Sequence, residues 1–183
     1  MDPSDCVADG YETVANDDEE TKGEYPYKVV EKAPIAQITI GEETTKYTDV
    51  EEFLTAFYAI DGEATVKLLD DITLSEESQF ENTNADADIT LDLNGHNIIG
   101  SSTDDGVIYK KGGKLTIEGD GIVENTGDEG DAVGSGGTVV INEGTYIGVL
   151  DACFVTPEAT IVINGGKFKA PKLYYQSEEY IKP

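Results

Sequence analysis

Four carboxylates, Asp104, Asp105, Asp128 and Glu129, are the residues of this chain best spaced to do chemistry together. Asp104 and Asp105 stand 24 residues before Asp128 and Glu129, in the loops Ser102–Gly106 and Gly127–Asp131. If a repeat of that length stacks the loops, four acids meet, and they repel unless a cation neutralises them or the loops splay into water. Clustered oxygen ligands suit Ca²⁺. The quartet is therefore the candidate metal site, with solvated loops and a catalytic acid pair as the competing readings. Acid pairs several ångströms apart hydrolyse glycosidic bonds, but gripping an acidic sugar also needs basic or histidine residues. The 12 basic residues here are all lysine and the one histidine is His96.

The remaining candidates are weaker. Residues 82–88 (NTNADAD) alternate oxygen side chains as some calcium loops do, without the glycine or the distal glutamate of an EF-hand. His96 sits in an Asn-Gly-His-Asn bend with no cysteine or serine nucleophile nearby in sequence, which reads as structural. Cys6 and Cys153 are too few for a disulfide framework and wrongly spaced for zinc. A bridge between them is one reading. The simpler one makes Cys153, in the apolar run Cys153–Val155, a small buried hydrophobe. Tyr174, Tyr175 and Tyr180 could stack on sugars, but packing on the end of the fold is the simpler role.

Positioning any of these residues falls to a repeat. Aligning the segments that begin at Ile89, Gly113, Gly137 and Ala159 puts Leu91, Leu115, Val139 and Ile161 in one row. Leu93, Ile117, Ile141 and Ile163 follow two residues later, and Ile98, Ile122, Tyr146 and Phe168 form a third row, at offsets of 24, 24 and 22. A spacing of two within the unit is a strand's period. Gly- and Asn-containing bends follow each strand, for example Asn94–Asn97 and Glu118–Gly121. A third strand per unit is visible at Val107–Tyr109, Asp131–Val133 and Cys153–Val155, and Val66 and Leu68 start an earlier unit. The pattern predicts an all-β chain: a right-handed parallel β-helix of about five short rungs. Its core column would rise roughly 20–25 Å at about 4.8 Å per rung. A β-sandwich needs turn signals every 8–12 residues but no identity of position at 24.

Open ends of such a coil need caps. Residues 48–60 predict an amphipathic helix with Val50, Phe53, Leu54 and Phe57 on one face, a Thr48–Glu51 capping box and an Asp61-Gly62 stop. Ile35–Ile40 and Thr44–Tyr47 flank Gly41–Glu43 as a hairpin, and Asn94, Asn142 and Asn164 share a row that could stack amides. The expected organisation is 1–32 as the tail of a preceding repeat plus an acidic linker, and 33–62 as hairpin and capping helix. Residues 63–170 are then the β-helix and 171–183 a C-terminal capping tail.

The 183-residue chain carries 38 acidic against 12 basic residues, a formal charge of −26. That argues against nucleic acid, whose binding draws on cations, and against anionic membranes. No run approaches the roughly 20 apolar residues of a membrane span. The first residues lack the basic and apolar regions of a signal peptide, so the chain reads as cytosolic or as cut from a longer secreted protein.

Ile89–Ile98 (ITLDLNGHNI), Gly112–Ile117 (GGKLTI) and Ile163–Phe168 (INGGKF) resemble the pectate-lyase-like β-helix modules repeated in large surface proteins of gut-dwelling Gram-positive bacteria. The lead-in from Ala36–Ile38 to Val66–Leu74 (VKLLDDITL) is similar to the opening of each module, and the likeness spans about residues 33–170. Asp2–Tyr11 (DPSDCVADGY) looks like the close of a preceding module, with Cys6 where a tyrosine is usual. The resemblance implies an extracellular or envelope location and a non-catalytic adhesive, spacer or display role. It also implies neighbouring copies of the module as partners, with a glycan or host-surface ligand as a further one. Pectate-lyase chemistry uses an arginine base with Ca²⁺ held by acids; with no arginine, that match fails. A polysaccharide-active enzyme using paired carboxylates and a phage or particle fibre component are the alternatives, since the fold alone carries no function.

Overall fold

The computed structural model describes residues 7, 8, 10–75, 78–101 and 106–176. The chain divides into two compact units, Met1–Pro34 and Ile35–Pro183. In the first, β1 (Tyr11–Ala15) and β2 (Tyr27–Glu31) pair antiparallel, with Tyr11 opposite Glu31 and Ala15 opposite Tyr27. The acidic loop between them is folded on itself. Asn16 donates to the Tyr25 carbonyl (2.8 Å) and accepts from the Asp18 N–H, and the Asp18 carboxylate accepts from the Glu20 N–H (2.9 Å). These are the turn bonds that Asn and Asp side chains make best.

The second unit opens with the hairpin β3 (Ala36–Ile40) and β4 (Glu43–Tyr47), then α1 (Val50–Tyr58). Five rungs of three strands follow. The first is β5 (Glu63–Leu68), β6 (Ile72–Thr73) and β7 (Phe80–Asn82), and the second β8 (Asp88–Asp92), β9 (Ile98–Gly100) and β10 (Ile108–Lys110). The third is β11 (Lys114–Glu118), β12 (Ile122–Asn125) and β13 (Val133–Ser135), and the fourth β14 (Thr138–Ile141), β15 (Thr145–Ile147) and β16 (Asp151–Val155). The last is β17 (Thr160–Ile163), β18 (Lys167–Lys169) and β19 (Lys172–Gln176). Equivalent strands stack in parallel on three faces, β5–β8–β11–β14–β17, β6–β9–β12–β15–β18 and β7–β10–β13–β16–β19. The chain is thus an all-β parallel β-helix that makes about four turns from first rung to last, and no helix is long and apolar enough to cross a membrane.

The register departs from the sequence alignment on each face. Between β8 and β11 the offset is 26, not 24: Leu115 pairs with Ile89 and Ile117 with Leu91. The stacked rows are therefore Ala64–Ile89–Leu115–Val139–Ile161 and Val66–Leu91–Ile117–Ile141–Ile163. On the second face Val123, not Ile122, stands between Ile98 and Tyr146. On the third, Val133 pairs with Ile108 and Cys153, where the alignment had put Ala132 and Val155. A strand's side chains alternate, so a slip of one residue would turn Ile122 inward and Val123 out. The buried member decides: Val123 is fully buried and Ile122 is not. The slip of two keeps the inward parity, which is why the alignment looked sound.

Bends between rungs demand particular residues. Gly113 between β10 and β11 has φ +64°, and a Cβ there would lie 2.4 Å from the Ala87 carbonyl oxygen. Only glycine fits a left-handed bend under so close a rung.

The first-rung end is covered. The hairpin extends the first face, β3 pairing antiparallel with β5, and α1 seats Phe53 and Phe57 against Phe80 (ring centroids 5.4 and 4.2 Å). Phe53, Leu54 and Phe57 are buried as the periodicity predicts, with Val50 partly buried. The N-cap is Asp49 rather than Thr48: its carboxylate accepts from the Glu52 N–H at 3.0 Å. Asp caps as well as Thr and carries charge suited to the positive helix end. At the far end, among the described residues, nothing pairs with the outer edges of β17, β18 and β19. Ile163, which faces inward in its row, is 38% exposed there.

Candidate functional site

The acidic quartet is only half in view. Asp104 and Asp105 lie outside the described residues, while Asp128 and Glu129 are exposed. The strands flanking the two loops pair at 25 on both sides, Gly100 with Asn125 and Ile108 with Val133, instead of the expected 24. The second loop is held from within. Asn125 donates to the Asp131 carbonyl (3.1 Å) and accepts from the Gly127 N–H (3.0 Å), and the Asp131 carboxylate accepts from the Asp151 N–H (2.9 Å). Among the described residues no group of three or more His, Cys, Asp or Glu side chains is placed to hold a metal ion.

The calcium-like run has different work. Asn82 Nδ2 donates to the carbonyls of Phe57 and Ile60 (both 2.9 Å), and Asn84 Nδ2 to that of Ile60 (2.8 Å). Both amides also reach the Tyr58 carbonyl at 3.3 Å. The last carbonyls of a helix have no partners within it, and α1 has no basic residue in its last turn. Two side-chain amides, at and just after the end of the first rung's last strand, add donors to the backbone N–H groups of the turn after the helix. Toward the helix, Asn82 and Asn84 thus act through their amide nitrogens.

Behind the amides lies Lys110, fully buried on β10. Its Nζ donates to Asn82 Oδ1 (2.5 Å) and to the Asn84 carbonyl (3.0 Å). The ammonium polarises the amides that grip the negative end of the helix, where positive charge is favoured. Burial pulls the Lys110 pKa down to about 8, with the Asp88 carboxylate opposing the shift. The acidic pattern of the sequence does not point to this latch. Its signal was a lysine at the inward parity of β10, two residues after Ile108.

The sign of the pH effect follows. An unfolded lysine titrates near 10.5, so between about pH 8 and 10.5 the unfolded chain binds the extra proton, and Lys110's contribution to stability rises with pH across that window. Below about pH 8 the penalty for the buried charge is fully present. Lys110→Met removes the charge while keeping the volume. The melting temperature of Lys110→Met minus that of wild type is therefore expected to fall steadily from pH 8 to pH 10.5. A flat difference in calorimetric scans would show that the ammonium is not desolvated. Comparison by difference matters because burial also pushes the Cys153 thiol up to about 12, which lowers stability as pH rises above 9 in both proteins.

The other candidates serve the coil. His96 Nδ1 lies 3.6 Å from Asp71 Oδ1, and the same carboxylate accepts from the Asn97 N–H (2.9 Å) and Nδ2 (3.1 Å), tying one bend to the rung below. Of the amide row, Asn164 donates to Asn142 Oδ1 (2.9 Å), whereas Asn94 caps the Leu68 carbonyl (2.9 Å). Cys153 is a buried free thiol, and Cys6 lies outside the described residues. Tyr174 and Tyr175 are on β19, and Tyr180 lies outside the described residues. A shallow cleft of about 410 Å³ runs along α1, lined by Glu51, Tyr58, Gln79 and Glu81, open to solvent.

No family model, curated protein or solved structure matches the chain.

Proposed function

We propose that the protein is a non-catalytic surface repeat module, secreted or held at the cell envelope, acting as adhesive, spacer or display scaffold. The observation that carries this reading is where its interior polar groups are used. Asn82, Lys110, Asn125, Asp131 and Ser135 are buried, and each bonds a neighbouring bend, rung or helix end. They stiffen a coil whose inward rows are otherwise aliphatic or aromatic. A stiff column with an acidic, arginine-free exterior suits spacing and display, and the motifs at Ile89–Ile98, Gly112–Ile117 and Ile163–Phe168 resemble surface modules of gut bacteria. Its partners on this reading are further copies of the module, with a glycan or host-surface ligand presented to the outside.

The test is a screen on acidic and neutral polysaccharides for reducing ends or unsaturated products, with and without Ca²⁺. No product is expected, and Asp104→Asn with Asp128→Asn should leave the melting temperature unchanged or slightly higher as like charges are removed. Product formation abolished by that double variant would establish the acid-pair enzyme instead. A rise of several degrees on adding Ca²⁺ to wild type alone would make the quartet a metal site.

A further inference from the structure

The N-terminal unit and the last rung are opposite in charge, and among the described residues each leaves an apolar surface exposed. Residues 159–176, which build the last rung, contain three lysines and no carboxylate in a chain of net charge −26. Lys167 and Lys169 on β18 are exposed, and among the described residues neither pairs with an acid. Residues 1–34 carry ten acids against three lysines.

The last rung ends in three unpaired strand edges among the described residues, over Ile161, Ile163 and Phe168. Ile163 is 38% exposed, and Phe168 stacks on Tyr146 from one side (5.3 Å, 17°). Unpaired edges of this kind are templates for further pairing. The N-terminal unit is a two-stranded hairpin, an element that is marginal in water without something to pack against. Cross-strand pairing puts Tyr11, Thr13, Ala15, Tyr27, Val29 and, at its edge, Glu31 on one of its faces. Tyr11, Tyr27 and Val29 there are 42%, 55% and 57% exposed.

We infer that the last rung is a docking surface for the N-terminal unit of a second copy of this chain. The Tyr11–Tyr27–Val29 face covers Ile161, Ile163 and Phe168, while the acidic loop, Asp17 to Glu24, meets Lys167 and Lys169. Opposite charge sets the polarity, since two last rungs or two N-terminal units repel. A head-to-tail contact of this kind does not close on itself, so it builds chains of copies. The inference rests on the reading of the protein as a module whose partners are its own kind.

The experiment uses the full chain and two complementary variants. One is Lys167→Glu with Lys169→Glu, and the other is Val29→Glu. Wild type should show an average mass that climbs with concentration in sedimentation velocity and falls with added salt, because the charges are exposed and screened. Each variant alone should associate about tenfold or more weakly, through loss of electrostatic match or of the apolar contact. Mixed, they should form a 1:1 dimer and nothing larger, because each retains the end the other has lost. Unchanged melting temperatures of the variants confirm that they fold. A wild type that stays monomeric at every concentration, or a mixture that stays monomeric, overturns the docking surface. Neither result touches the polysaccharide screen, so the scaffold reading stands or falls separately.

Discussion

Replacing Asn82 with alanine is expected to lower the unfolding free energy by about 1–3 kcal/mol, the range for removing one hydrogen-bond partner from buried groups. Three things fail at once. The Phe57 carbonyl loses its side-chain donor and keeps only the backbone N–H groups of the turn after the helix, the Ile60 carbonyl keeps only Asn84, and Lys110 keeps only the Asn84 carbonyl. The helix would then be held mainly by Phe53 and Phe57 on Phe80. Urea unfolding measures the loss, and limited proteolysis should cut within residues 48–62 before the rungs. A double-mutant cycle separates the two roles. If Asn82 chiefly steadies the ammonium, its substitution in the Lys110→Met background should cost about half as much or less. If the helix carbonyls dominate, the cost should persist. A loss under about 1 kcal/mol in wild type would mean that the latch does not hold the cap at all.

The second large effect lies in the middle of the coil. Ile117→Ala should destabilise by about 2–5 kcal/mol, because a cavity opens between layers that have no freedom to collapse. Ile117 is fully buried between Leu91 below and Ile141 above. The same change at Ile163, in the same row but on the last rung and 38% exposed, should cost less than half as much. Register is tested on the second face. Val123→Ala should cost clearly more than Ile122→Ala, although isoleucine loses more carbon, since Val123 is the inward residue. Equal losses, or the reverse order, would restore the alignment at 24 and refute the pairing described here.

Repetition makes much of this fold legible without coordinates. A rung cannot bury its inward side chains alone, so each copy must repeat the same apolar places, and identity of place survives as a pattern in the chain. The helix was equally plain, because Phe53, Leu54 and Phe57 fall on one stripe. Offsets between rungs were not. They vary from 20 to 28 among the paired strands, since bends of different length connect them. Alignment on apolar identity can slide by two residues at no loss of parity, as it did at Leu91, and by one where two adjacent residues are both apolar, as at Ile122 and Val123.

The latch was hidden for a related reason. Asn82, Asn84, Lys110 and the carboxyl end of α1 are distant in sequence, and nothing in a run of alternating Asn and Asp says whether its amides will donate or its oxygens accept. Composition and spacing by themselves determined a repeating all-β coil with an amphipathic helix ahead of it, because burying aliphatic rows requires that period. Only the tertiary structure decided which residues stack, because register depends on how each bend closes over the rung beneath. It also decided that Lys110, fully buried, serves a helix end, because that pairing exists only once the cap is seated.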